Sequence, residues 1–136
     1  MSLPVEPLRA AASAHAGKVP GLRLVVLFGS VANQTARPAS DVDIGVLGGD
    51  GWKALELGAA VAAVVGREPH VVDLATAPLA LRFEIARTAL LLLETEPHLF
   101  ARFQAQAALE YFDLAPLRAR CAEGVRRRLR KEAQLE

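Results

Sequence analysis

Two short apolar segments joined by a polar loop constrain this chain more than any other feature. Leu22 to Phe28 is a run of β-branched and apolar residues bounded by Pro20-Gly21 and Gly29-Ser30, which predicts a strand entering a tight turn. Ten residues separate Ser30 from Asp41, and Asp41 and Asp43 flank Val42 at the head of a second apolar segment, Val42 to Leu47. A strand running into Gly-Ser brings backbone amides and a hydroxyl to where phosphate can approach. Carboxylates at i and i+2 on a strand share one face. Two oxygen donors on one face suit hard divalent cations such as Mg²⁺.

The rest of the chain alternates helix and strand. Leu8 to Ala16 is Ala-rich and predicts a helix ending near Gly17. Val31 to Thr35 predicts a short helix after the Gly-Ser turn, and Arg37 to Ser40 a loop. Trp52 to Val65 has apolar residues at helical spacing and a stop at Gly66. His70 to Leu74 predicts a third strand, Leu79 to Thr88 a helix with Pro78 at its start, and Ala89 to Leu93 a fourth strand. Two helices follow. The first runs from about Glu96 to Phe112, with Phe100, Phe103, Ala107 and Tyr111 on one face. The second is expected to be N-capped by Asp113 and to turn Leu114, Leu117, Cys121, Val125 and Leu129 toward an apolar surface. This order predicts an α+β (mixed αβ) fold: a small mixed sheet covered mainly on one face by helices, with a helical C-terminal portion. At 136 residues, one domain over 1–136 is expected, with a metal-binding core at about 20–95 and C-terminal helices at about 96–135.

Several function classes are disfavoured. No apolar run approaches the ~20 residues needed to span a bilayer. Met1 to Glu6 does not read as a signal peptide, and the single cysteine, Cys121, permits neither an intrachain disulfide nor a cysteine-based zinc site, so a cytoplasmic location is expected. A formal net charge of +1 argues against a nucleic-acid coat. Arg118, Arg120, Arg126, Arg127, Arg128, Arg130 and Lys131 crowd the C-terminus, but Glu123, Glu132 and Glu136 dilute them, and the cluster reads as a solvated helix face, with a nucleic-acid or acidic-partner surface as the alternative. His15, His70 and His98 lack triad or metal-ligand spacing and read as structural or exposed; Cys121 reads as a core residue, and Trp52 as core or the wall of an adenine pocket.

A third carboxylate, Asp73, lies on the third predicted strand among Val71, Val72 and Leu74. Carboxylates converging across adjacent strands repel one another and are costly to bury, and a divalent cation removes both penalties. Taken singly, each feature has a plainer reading: a turn at Ser40-Asp41, a solvated Asp43, an Asx-type turn at Asp73. Their joint order and spacing favour one metal-chelating, phosphate-binding site.

The combination Gly29-Ser30, ten residues, Asp41-Val42-Asp43, then Asp73, resembles the signature of the polymerase-β-type nucleotidyltransferases. The stretch from Val25 to Leu47 is similar in particular to the minimal nucleotidyltransferases, which include MntA-type antitoxins paired with HEPN-family ribonuclease toxins. The resemblance implies a palm-type sheet and transfer of AMP from ATP to a hydroxyl. It implies that Gly29, Ser30 and Arg37 contact the nucleotide, that Asp41 and Asp43 bridge two Mg²⁺ ions, and that Asp73 is the third ligand and catalytic carboxylate. It further implies a HEPN-type toxin as partner and acceptor, with a homo-oligomer compatible. Val31 and Gln34 depart from the family pattern, which often has a basic residue and a glycine there. Two alternatives stand beside this reading: an inactive antitoxin that works by binding alone, and a nucleotidyltransferase acting on a small molecule of the aminoglycoside type.

Overall fold

The computed structural model describes residues 3–135; Met1 and Ser2 of the expected leaderless N-terminus, and Glu136 of the C-terminal charge cluster, lie outside the described residues. Four strands form one sheet: β1 (Leu22–Phe28), β2 (Val42–Gly48), β3 (Pro69–Asp73) and β4 (Leu90–Glu94). The helices are α1 (Val5–Ala16), α2 (Gly29–Ala32), α3 (Gly51–Val65), α4 (Leu79–Thr88), α5 (Leu99–Asp113) and α6 (Ala115–Leu135). The strand order is β3-β2-β1-β4. β1 runs antiparallel to both β2 and β4, whereas β2 and β3 are parallel. A parallel pair needs a crossover connection, and α3 supplies it.

Helices cover both faces of the sheet, correcting the expectation of one-sided cover. Val25 and Leu27 of β1, with Val42, Ile44 and Val46 of β2, pack beneath α1 and α3, which contribute Leu8, Ala12, Leu57, Val61 and Ala62. On the other face, Leu24, Val26 and Phe28 pack with Leu74 against Ile85 and Ala86 of α4 and Leu99, Phe103 and Ala107 of α5. Burial on both sides explains why Leu24 to Phe28 is apolar without alternation. A Cβ added to Gly58 of α3 would lie 2.4 Å from Val71 Cγ2, so glycine lets this helix lie close on β3. Asp50 Oδ1 accepts from the backbone amides of Trp52 and Lys53 and caps α3, and Gly66 ends that helix in the left-handed conformation at φ 65°.

The C-terminal helices depart from expectation. Asp113 is the last residue of α5 rather than the cap of α6. Tyr111 stacks on Phe83 of α4 with ring centroids 4.1 Å apart, and Arg118 lies over the other face of Tyr111 at 3.6 Å. Beyond this stack α6 leaves the domain. Leu114, Leu117, Val125 and Leu129 are exposed, as is Cys121, so the apolar stripe meets no surface of this chain among the described residues. Trp52 is 71% exposed, which removes it from the core. No described helix is long and apolar enough to cross a membrane.

Candidate functional site

The antiparallel β1–β2 pair places the turn after β1 beside the start of β2. Phe28 pairs with Asp43, so the next residue, Gly29, meets the Asp43 side chain. Gly29 has φ +76°, and a Cβ there would lie 2.1 Å from Asp43 Oδ2 and 3.0 Å from its Cγ. Only glycine combines that backbone conformation with that approach. The Gly-Ser turn and the Asp-x-Asp pair, ten residues apart in sequence, are therefore in contact. α2 is a single turn of four residues, so an anion held here would rest on the backbone amides of the turn and the Ser30 hydroxyl rather than on a long helix.

The loop from Ala32 to Asp41 is fastened at both ends. The backbone amide of Thr35 donates to Ser30 O at 2.8 Å. Arg67 Nη1 donates to the carbonyls of Arg37 and Ser40, at 2.7 and 2.9 Å, and the amide of Arg37 donates to Ser40 Oγ at 2.9 Å. Guanidinium-to-carbonyl bonds are charge-assisted, and these two fix the segment that delivers Asp41. The Arg37 side chain is exposed at the rim of this loop. Val31 is buried in the core and faces away from solvent, and Gln34 takes a left-handed backbone, φ 59°, of the kind glycine adopts without strain.

Asp41 is exposed, one residue ahead of β2, and Asp43 is half-buried. The structure does not bring Asp73 to them. In the parallel β2–β3 register Asp43 lies opposite His70, whereas Asp73 lies opposite Val46. Three residues along a strand are about 10 Å, and an odd offset reverses the face. Asp73 therefore sits at the far end of the sheet, on the α3 side, against a shallow pocket lined by Val46, Gly48, Gly51, Leu55 and Val71. There it closes an Asx turn: Oδ1 accepts from Ala75 N at 3.0 Å and Oδ2 from the Thr76 hydroxyl at 3.2 Å. The plainer reading of Asp73 is the one the geometry matches.

His70, and not Asp73, is the β3 residue that lies beside Asp43. Its Nδ1 lies 2.8 Å from Asp43 Oδ1, and because an ionised carboxylate only accepts, the imidazole N–H donates. By spacing alone this residue reads as structural or exposed. Its one available signal was alternation: with Val71 packed inward against α3, His70 and Val72 must face the side that Asp43 faces. As placed, no three His, Cys, Asp or Glu side chains among the described residues gather closely enough to hold an ion. Asp41 and Asp43 nevertheless offer the hard oxygen donors that a divalent cation requires, beside the Gly29-Ser30 turn.

The model of the polymerase beta nucleotidyltransferase family matches residues 14–98, which span α1 into the segment after β4. No curated protein gives a significant match to the chain. Among solved structures, a toxin–antitoxin complex with AMP-PNP aligns at TM-score 0.70 and 25% identity, over 86% of this chain and 97% of that one. The MntA–HepT toxin–antitoxin aligns at TM-score 0.66 and 22% identity, over 88% of this chain and 97% of the other. A Shewanella oneidensis complex of tri-AMPylated HEPN toxin with MNT antitoxin aligns at 0.63 and 22%, over 87% and 98%.

Proposed function

We propose, starting from the fact that this chain belongs to the polymerase beta nucleotidyltransferase family, that it is a divalent-cation-dependent protein adenylyltransferase. It transfers AMP from ATP to a hydroxyl on a partner protein, a HEPN-type ribonuclease toxin, and so serves as that toxin's antitoxin in the cytoplasm. The observation that carries this reading is the contact between Gly29 and the Asp43 carboxylate, which makes one site of the phosphate turn and the acidic pair. The 25%-identical complex with AMP-PNP supports the nucleotide and the kind of partner. The tri-AMPylated toxin beside its MNT antitoxin supplies the acceptor class proposed for this chain.

In this reading the amides of the Gly29-Ser30 turn and the Ser30 hydroxyl hold the β- and γ-phosphates, and Arg37 reaches the nucleotide from the rim. Asp41 and Asp43 hold Mg²⁺ or a related ion, which when bound supplies charge neutralisation at the transferring phosphate. The acceptor hydroxyl oxygen attacks the α-phosphorus and its proton passes to solvent, the bond to the bridging oxygen of pyrophosphate breaks, and pyrophosphate leaves. The chain's own contribution is positioning: Arg67 fixes the loop before Asp41, and Gly29 sets the distance between turn and carboxylate.

Intact-mass measurement of the partner toxin after incubation with this chain, ATP and Mg²⁺ tests the proposal. Mass increments of whole adenylyl units, absent with Asp41→Asn and Asp43→Asn, are expected. A toxin that stays unmodified yet is bound and silenced equally well by those variants refutes the enzymatic reading.

A further inference from the structure

The β3 side chain beside Asp43 is a nitrogen donor, His70. We propose that His70 completes the cation site with Asp41 and Asp43, and that this mixed set favours first-row transition ions over Mg²⁺, with Mn²⁺, the weakest binder of that series, as the probe; the inference rests on the proposed function, whose site it refines.

Three observations carry it. His70 is in register with Asp43 on β3, at the same end of the sheet as the Gly29 turn, and Asp73 is not. His70 Nδ1 and Asp43 Oδ1 stand 2.8 Å apart. Two ligands bound at about 2.1 Å and at right angles lie about 3 Å apart, so this separation matches two adjacent ligand positions around one ion. On binding, the imidazole proton resides on Nε2 and the Nδ1 lone pair faces the ion. Asp41, exposed and one residue ahead of β2, is the oxygen donor next to Asp43 along the chain. The His70 side chain is 61% exposed and its strand is at the sheet edge, so nothing in the core holds it to a structural role.

The donor chemistry sets the selectivity. Mg²⁺ takes oxygen ligands almost exclusively and keeps its waters, whereas imidazole binds the later first-row ions well. A site of two carboxylates and an imidazole discriminates against Mg²⁺ relative to a site of three carboxylates. Restoring the third carboxylate reverses the preference.

The test uses the full chain without nucleotide, with Mn²⁺ alone as probe. Free Mn²⁺ is followed by electron paramagnetic resonance, and ligand nitrogen by the ¹⁴N modulation of the bound ion's electron spin echo. Wild type is expected to show nitrogen coupling, retained in His15→Gln and His98→Gln and absent in His70→Ala and His70→Asp. His70→Ala is expected to weaken Mn²⁺ binding by about 10–100-fold, the range for loss of a supporting metal-site residue. His70→Asp is expected to lower the ratio of Mn²⁺ to Mg²⁺ affinity at least about tenfold. Nitrogen coupling that is missing from wild type, or that survives in His70→Ala, overturns the assignment, as does unchanged Mn²⁺ affinity in that variant. Failure of the underlying reading has a different signature: Asp41→Asn and Asp43→Asn would then bind Mn²⁺ as wild type does.

Discussion

Replacing Gly29 by alanine tests the contact on which the site depends. The new Cβ would stand 2.1 Å from Asp43 Oδ2, where ordinary contact begins at 3.4 Å, and the backbone at φ +76° disfavours any side chain. The left-handed conformation costs a non-glycine residue about 1–2 kcal/mol. Rotating the Asp43 carboxylate away relieves the clash but breaks its 2.8 Å hydrogen bond to His70, which removes about a further 0.5–1.5 kcal/mol. Gly29→Ala should therefore lose about 1.5–3.5 kcal/mol of stability, short of unfolding a typical domain. The effect on catalysis should be larger. The carboxylate must retreat by about an ångström, and misplacement of that size costs about 10²-fold in rate.

The two effects separate experimentally. Urea unfolding followed by circular dichroism gives the stability change from the midpoint, provided the slope is unchanged. Single-turnover adenylyl transfer, run at low denaturant where both proteins are folded, gives the rate. Gly17→Ala is the control: that glycine has φ −66° and no neighbour within 4 Å of an added Cβ, so the substitution is expected to be neutral or to stabilise by about 0.4–1 kcal/mol. A Gly29→Ala protein that turns over within about twofold of wild type would refute the argument that this approach sets the site's geometry.

Further outcomes follow from the same geometry. Asp73→Asn, which keeps an oxygen for the Ala75 amide and loses only the bond accepted from the Thr76 hydroxyl, should cost about 1 kcal/mol or less in urea unfolding. Its turnover should stay within a few-fold of wild type, whereas Asp43→Asn should lose orders of magnitude. Arg67→Ala removes two charge-assisted bonds to the loop before Asp41 and should lower turnover at least about tenfold, with a stability loss of about 1–3 kcal/mol; unchanged kinetics would show that the loop needs no clamp. Gly124→Ala, in the open interior of α6, should raise helicity and stabilise by about 0.8–1 kcal/mol, measurable by thermal melting. Leu117→Glu and Val125→Glu should leave the melting of the domain unchanged within about 0.5 kcal/mol, because the stripe they interrupt is exposed.

Local signals made the elements legible and left their partners undetermined. β1 was bounded by Pro20-Gly21 and Gly29-Ser30, and α3 by Asp50 and Gly66, because turn and cap residues act on their immediate neighbours. The apolar stripe of α6 was equally visible, but periodicity reports that a face is apolar, never what covers it. Gly29, Ser30, Asp41 and Asp43 could be grouped because one antiparallel turn joins them and fixes their register. Asp73 could not be placed from spacing, since β3 reaches β2 through the whole of α3. Its register is set by tertiary contacts: Gly58 against Val71, and Val42 N donating to Glu68 O at 2.9 Å.

The direction of β3 decides which of its residues can serve the site. The site lies where β1 ends and β2 begins. A third strand running antiparallel to β2 would deliver its last residues there, and an Asp at its end, such as Asp73, would face Asp43. β3 is parallel to β2, so only its first residues reach that end, and the one opposite Asp43 is His70. The requirement for a crossover helix thus does more than satisfy topology. By making β3 parallel it assigns Asp73 to an Asx turn at the far end of the sheet and presents an imidazole where spacing alone pointed to a carboxylate.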